Sequence, residues 1–409
     1  MNERFVRYVR TLALSAAVAV VATGAARAQK QYDTGATDTE IKIGNIMPYS
    51  GPASAYGIIG KTLTAYFKMV NDKGGINGRK INFISYDDAY SPPKTVEQAR
   101  KLVEGDEVLF IFNPLGTADN AAIQKYMNQK KVPQLFVATG ASRWGDPEHF
   151  PWTMGWQANY RSEARIYATY MKKTYPGKTI GILYQNDDFG KDYLAGLKDV
   201  LGADYAKLVV SEVPFEVSVP TVDSLVVSIK SANPDIFVNI GTPKFAAQAI
   251  KKVAELNWHP IHFLTNVSAS VGATLKPAGL ENAKDILSAG YIKDVTDPQW
   301  DNDPTMKDFR AFMEKYLPEA DKTDGGPFAG YGSALGLMQV LKQCGDNLTR
   351  ENIMKQAANL DFEDGVYLPG VRIKTSPTDF YPIEQLKMMK FDGERWQFFG
   401  ELMDSHAEK

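Results

Sequence analysis

The sequence predicts an α/β protein built on two doubly wound parallel sheets. Three observations carry this. Short apolar runs alternate with stretches of helical period over most of the chain. The alternation stops near residue 152 and begins again after it, so it makes two sets rather than one. And the chain is 409 residues long; the about 380 that remain after an N-terminal leader exceed what a single core usually serves.

The leader comes first. Arg4, Arg7 and Arg10 make a basic start, residues 12–24 are apolar, and Ala26-Arg27-Ala28 is a small-x-small cleavage site. Residues 1–28 read as a secretory signal peptide, which sends the mature protein across the inner membrane, soluble and without a later spanning segment. Residues 38–46 then give the first strand, with Ile41, Ile43 and Ile46 apolar. The loop 47–56 carries Pro48, Ser50, Gly51 and Pro52 and ends at Tyr56. A helix follows over 57–71, with Ile59, Leu63, Phe67 and Val70 on one side, and Gly74-Gly75 stops it. Residues 81–86 make the second strand, ending in Asp87-Asp88, and Ser91-Pro92-Pro93 opens a helix to residue 104.

The next stretch, 108–144, is strand, turn, helix, strand, turn. Residues 108–112 and 135–137 are the apolar runs, and 118–130 is the helix between them. Parallel strands joined by a helix bring both of their ends to one edge of the sheet, where open α/β sheets bind ligands. The turns Leu115-Gly116-Thr117 and Thr139-Gly140-Ala141-Ser142 should therefore face one point. Small residues with exposed N–H groups and hydroxyls suit a small anion such as a carboxylate, although two tight turns without a ligand would look the same.

The second set runs as helix 160–175, strand 179–184, helix 191–201, strand 209–215, helix 222–231, strand 236–240, helix 244–256, strand 262–264 and strand 286–289. The tail has helices at 306–317, 331–341 and 351–358 and short strands at 385–390 and 395–398. That is too little for a third sheet and fits a chain returning to each half.

Composition and motifs exclude several functions. Lys plus Arg number 46 and Asp plus Glu 48, mixed along the chain, so no basic block invites nucleic acid. The one cysteine, Cys344, cannot form an internal disulfide and reads as a buried small residue. No G-x-S-x-G elbow, H-E-x-x-H or phosphate loop is present. His259 and His262 are separated by Pro260 and share no helical face. Asp87-Asp88 and Asp187-Asp188 could hold a cation, but they also cap the helices that follow, and capping is the favoured role. No catalytic residue, metal or cofactor is expected. What remains is aromatic and small polar groups at strand ends: Tyr56, Trp156, Gln157, Tyr160, Phe189, Thr242 and Asn266. Together they describe a cleft with aromatic walls and a polar floor.

Four segments carry a resemblance: IKIGNIMPYSGPASAYG (41–57), VNDKGGINGRKINFISYDDAYSPP (70–93), LYQNDDFGKD (183–192) and the two turns above. The chain resembles the periplasmic solute-binding proteins of branched-chain amino acid ABC transporters over nearly all of its mature length. The resemblance implies a type I periplasmic binding protein: two doubly wound α/β lobes joined by three crossover hinge segments. The first lobe would take 37–156 and 291–384, the second 157–290 and 385–409. It implies a monomer in the periplasm that hands its ligand to an inner-membrane ABC permease. In amino acid binders of the family the α-carboxylate is held at positions matching residues 114–117 and Ala141 and Ser142, and the wall aromatics match Tyr56 and Phe189.

Two departures follow. The loop matching the acid that holds the α-ammonium is Thr265-Asn266-Val267-Ser268, and a second acid is matched by Gln157. An ammonium closed in without a carboxylate would be left unpaired, at roughly several kcal/mol. The expected ligand is a small organic acid without an α-ammonium. FPWTMGWQ (150–157), with ATGASRW before it, resembles the branch associated with benzoates and phenylpropanoids. Its carboxylate would meet Leu115, Gly116, Thr117, Thr139, Ala141 and Ser142. Tyr56 and Phe189 would sandwich its body, and Gln157, Tyr160, Thr242 and Asn266 would meet its distal end, with Arg161 as a second anion partner or a solvated helix residue. A branched-chain amino acid, aliphatic acid or amide is the alternative. A secreted hydrolase lacks a base near any serine motif, and a repressor core of this architecture would need a basic DNA-binding segment.

Overall fold

The computed structural model describes residues 30–404; the expected signal peptide and His406 lie outside them. The first sheet has five parallel strands, β1 (Glu40–Met47), β2 (Lys80–Asp87), β3 (Phe110–Phe112), β4 (Gln134–Val137) and β5 (Thr153–Gly155), in the order β2-β1-β3-β4-β5. Helices α1 (Gly57–Asp72), α2 (Pro92–Arg100) and α3 (Thr117–Lys130) connect the first four. Ile41, Ile43 and Ile46 of β1 and Phe110, Ile111 and Phe112 of β3 are buried, as strands covered on both faces require.

The second sheet repeats the order. Helix α4 (Tyr160–Thr174) leads into β6 (Ile180–Gln185), α5 (Asp188–Leu201), β7 (Val209–Phe215), α6 (Asp223–Ser231), β8 (Ile236–Ile240), α7 (Pro243–Glu255), β9 (Ile261–Leu264) and β10 (Leu287–Gly290). The parallel part runs β7-β6-β8-β9-β10. In both sheets the first strand lies between the second and the third. That order puts a topological switch point between the first and third strands, where the connections leave to opposite faces.

The tail adds α8 (Pro304–Tyr316), α9 (Gly326–Cys344), α10 (Arg350–Ala357) and two long strands, β11 (Gln385–Phe391) and β12 (Trp396–Asp404). Helix α9 returns to the first sheet and packs on α1. A Cβ at Gly330 would stand 3.3 Å from the Ile59 carbonyl, and Tyr331 meets Tyr66 edge-on at 5.2 Å. Strand β11 joins β10 antiparallel and carries β12 outside it. The chain thus passes between the sheets three times: after β5, after β10 and before β11.

Local differences from the sequence expectation have local causes. Strand β5 was not anticipated; it is three residues long, between Trp152 and Trp156, too short to show a period. Helix α9 starts five residues before the expected 331, because Pro327 sits in its first turn and Gly330 and Gly332 buy close packing inside it. Helix α2 ends at Arg100 and closes in a wider turn, Asp106 N–H donating to the Lys101 carbonyl. Cys344 is buried, and burial pushes its thiol up to about 12. Among the described residues no helix is long and apolar enough to cross a membrane.

Candidate functional site

Both switch points open into one cleft between the sheets. It encloses about 1190 Å³ of empty space, with open solvent at its mouth included. Ten residues singled out from the sequence line it: Tyr56, Leu115, Gly116, Thr117, Thr139, Gln157, Tyr160, Phe189, Thr242 and Asn266.

The first lobe's floor comes from the βαβ unit β3-α3-β4. Leu115 pairs in parallel with Ala138, which draws the two turns together, and Thr117 Oγ1 lies 2.6 Å from Thr139 Oγ1. Gly116 is the N-cap of α3 with φ +107°, so the first N–H groups of that helix open toward the cleft. Other helices begin on the same space: α4 at Tyr160, α5 beside Phe189, α7 at Thr242 and Pro243, and α9 at Gly325 and Gly326. Helix α9 arrives from the tail; for α4, α5 and α7 this is what parallel sheets do, because each follows the carboxyl end of a strand. It leaves the cleft at the positive ends of several helix dipoles.

The walls are aromatic. Tyr160 and Phe189 meet edge-on at 4.9 Å, and Tyr56, Tyr90 and Tyr291 complete the enclosure. Tyr56 also donates from its hydroxyl to the Val267 carbonyl at 2.9 Å, and Gln185 Nε2 donates to the Tyr90 hydroxyl at 3.4 Å. Both bonds run from one lobe to the other, so this is a closed arrangement.

The ionisable groups on the lining are already engaged. Lys293 is bonded to Asp303 at 2.7 Å and to the Gly365 carbonyl at 2.6 Å. Asp294 accepts the Trp396 and Thr296 N–H groups at 2.9 Å. Asp324 accepts the Ser270 hydroxyl at 2.8 Å and the Gly326 N–H at 2.9 Å. Behind the wall stand three more acids. Asp187 caps α5 by accepting Phe189 and Gly190 N–H, and burial pushes its carboxyl up to about 6. Glu163 is pushed up to about 7 by burial; it accepts the Asn266 N–H at 2.7 Å and the Tyr167 hydroxyl at 2.5 Å. Asp119 is pushed up to about 8 by burial and by Asp88.

Four of the singled-out residues do not line the cleft. Trp156 is buried and packs on Phe136 with ring centroids 4.3 Å apart. Gly140 packs so tightly on the crossover, with the Ala158 carbonyl 2.1 Å from where a Cβ would be, that the chain after it turns into the hinge. Ala141 is buried there. The Ser142 N–H donates to Asp192 at 2.6 Å, its hydroxyl accepts from Asn159 at 3.1 Å and its carbonyl accepts from Tyr381. Arg161 points to the outer face and makes a two-pronged bond to Asp199 at 2.7 Å, so it is the solvated helix residue and not an anion partner in the cleft.

Sequence reasoning missed Tyr90, Tyr291 and Trp396. Tyr291 follows the end of β10 and could have been found by the strand-end rule that found Thr242. Tyr90 sits in a left-handed turn, with Ala89 at φ +54° and Tyr90 at φ +57°, held by Asp87 and Asp88 accepting the two N–H groups. Trp396 arrives on the added antiparallel strand β12, which carries no signal for the cleft.

A family model described as periplasmic binding protein matches residues 40–395. The chain belongs to the periplasmic binding protein family. Its members are solute-binding proteins and not enzymes; they take up small ligands in the periplasm and deliver them to ABC permeases. Among relatives, this binding protein is 24% identical over 295 residues to Leu/Ile/Val-binding protein homolog 7 of Brucella suis, covering 68% of this chain and 71% of that one. Among the solved structures that share its fold are two with a bound ligand. A Thermus thermophilus branched-chain amino acid ABC transporter protein with bound valine has a TM-score of 0.81 at 15% identity, covering 91% of this chain and 98% of that one. A Rhodopseudomonas palustris solute-binding protein in complex with 3,4-dihydroxybenzoic acid has a TM-score of 0.74 at 21% identity, covering 90% and 98%.

Proposed function

We propose that this binding protein captures a small organic acid with an aromatic body and delivers it to an inner-membrane ABC permease. One observation carries the reading: the lining offers helix N-termini and hydroxyls for an anion, and its lysine and two aspartates, Lys293, Asp294 and Asp324, are already bonded within the protein. A carboxylate at the α3 turn would accept N–H groups at Gly116 and Thr117 and a hydroxyl from the Thr117–Thr139 pair. Charge-assisted bonds of this kind contribute about 1.5–3 kcal/mol each. Tyr56, Tyr160 and Phe189 would enclose the ring, and Gln157, Thr242 and Asn266 would meet its distal polar groups. The dihydroxybenzoate complex of the Rhodopseudomonas palustris protein supports an aromatic acid in this fold.

The second reading is a branched-chain amino acid. The valine complex and the Leu/Ile/Val-binding relative favour it. Against it stand Gln157 and residues 265–268, which bring no carboxylate to the lining; Glu163, one layer behind, spends an oxygen on Asn266 and Tyr167. Isothermal titration with benzoate, 3,4-dihydroxybenzoate, 3-phenylpropanoate, valine and leucine separates the two. The aromatic acids are expected to bind at least tenfold tighter than the amino acids, a difference of about 1.4 kcal/mol or more. Binding of valine and leucine alone would discard the aromatic-acid reading.

A further inference from the structure

Asp119 stands in the first turn of α3, fully buried under the cleft wall. Its Oδ2 has no hydrogen-bond partner and presses on Gly116, where a Cβ would come within 2.3 Å of it. Its Oδ1 is 3.1 Å from Thr95 Oγ1. That hydroxyl is also 2.8 Å from Asp88 Oδ2 and 3.0 Å from the Ser91 carbonyl. A threonine hydroxyl has one proton and here meets three acceptors. The Asp119–Thr95 contact becomes a good hydrogen bond when Asp119 supplies the proton and Thr95 passes its own to Asp88. Asp88 is the better-served carboxylate, since its Oδ1 also accepts the Tyr90 N–H at 2.9 Å.

We propose that Asp119 is kept as a neutral acid through Thr95 and Asp88, and that this proton sets the affinity of the α3 turn for an anionic ligand. The inference rests on the reading that the turn receives a carboxylate. An ionised Asp119 would put a negative charge inside the turn whose positive dipole end faces the ligand, and would cancel it. The neutral acid leaves that end to the incoming anion. The titratable groups facing Asp119 are Asp88 and Tyr90 from the β2–α2 loop and Asp187 from the start of α5 across the cleft. All are acids or phenols. Closure brings Asp187 to the same place, so the closed, loaded state and the protonated Asp119 favour each other. Two buried carboxyl groups a hydroxyl apart share one charge in the same way.

The test titrates the purified protein with benzoate, 3-phenylpropanoate and valine at pH 6 and pH 8.5. For a carboxyl titrating at about 8, whichever of them binds is expected to bind about fourfold more weakly at pH 8.5. At pH 8 binding takes up about half a proton, read from the dependence of the binding enthalpy on the buffer's ionisation enthalpy. Asp119→Asn, which keeps the shape, is expected to lose this fourfold weakening and the proton uptake at pH 8. Thr95→Val, which cuts the link to Asp88, is expected to change the pH dependence. The wild-type proton uptake keeps the test decisive if Asp119→Asn does not fold. Binding with the same pH dependence in Asp119→Asn, or with no proton uptake at pH 8, overturns this inference and leaves the carboxylate reading standing. Failure of all three carboxylates to bind overturns both.

Discussion

Gly116 is the residue on which the site turns. Its φ of +107° is open to glycine at little cost and strained for any other residue, and the space behind it is occupied by Asp119 Oδ2 and by Tyr90 Cε2 at 2.9 Å. Gly116→Ala therefore combines backbone strain with crowding of a buried carboxyl. We expect a loss of about 2–4 kcal/mol of unfolding free energy, read by urea denaturation, together with weakened binding. Gly177 is the control. It also has a positive φ, +76°, but nothing lies within 4 Å of where its Cβ would be, so Gly177→Ala should cost only about 1 kcal/mol and leave binding unchanged. Equal losses in the two variants would show that the crowding at Gly116 is without consequence. Residue 90 follows the same logic in reverse: a tyrosine is held in a left-handed turn because two aspartates accept the N–H groups there, and the strain sets its ring on the cleft.

At the scale of elements, Glu163 ties three of them together. It lies on α4 and accepts the Asn266 N–H from the loop after β9. The Tyr167 hydroxyl that also reaches it is 2.7 Å from the Leu264 carbonyl and accepts the Ala289 N–H of β10 at 3.2 Å. Its carboxyl is raised from the ordinary 4.5 to about 7 by burial. For an acid raised on folding, the native state holds a proton that the unfolded chain has given up. The associated stability is fully present below about pH 4.5 and is lost as pH rises through 7. Glu163→Gln keeps the accepting oxygen and does not titrate. Relative to wild type it should gain on the order of 2–3 kcal/mol between pH 5 and pH 8. Parallel pH profiles of the urea midpoint for the two proteins would refute this. Glu163 also shows where sequence legibility ended. The alternation of runs gave the strands of both parallel sheets except β5, and strand ends gave ten residues of the cleft lining, because in parallel sheets those ends gather on one edge. What the sequence could not tell was the direction taken by a turn. Thr139 and Ser142 look alike as sequence, yet Gly140 sends one to the cleft and the other to the hinge. Nor could it show a buried acid on a helix: Glu163 and Asp119, both buried, carry no mark in the sequence that sets them apart from the other acids of the chain.

At the scale of the whole molecule, the two lobes meet through bonds of unequal worth. Arg143 reaches Asp188 across the hinge side at 2.8 Å, but both side chains are a third or more exposed, so the pair adds little. The Tyr56 hydroxyl to the Val267 carbonyl is half-buried, links a first-lobe helix entrance to the second-lobe loop, and sits where a ligand would be covered. A ligand that touches both lobes shifts the equilibrium toward closure only by its preference for the closed state. Bonds between the lobes set the starting point of that equilibrium, and losing one lowers apparent affinity without changing the ligand's own contacts. Tyr56→Phe removes this bond and keeps the ring. It should weaken binding about fivefold, equivalent to about 1 kcal/mol, through faster release rather than slower capture. Because about 1 kcal/mol is small against the unfolding entropy of a chain this long, the unfolding temperature of the ligand-free protein should hardly move. Stopped-flow kinetics on the variant decide the matter: an unchanged release rate would mean that closure is held by the ligand alone.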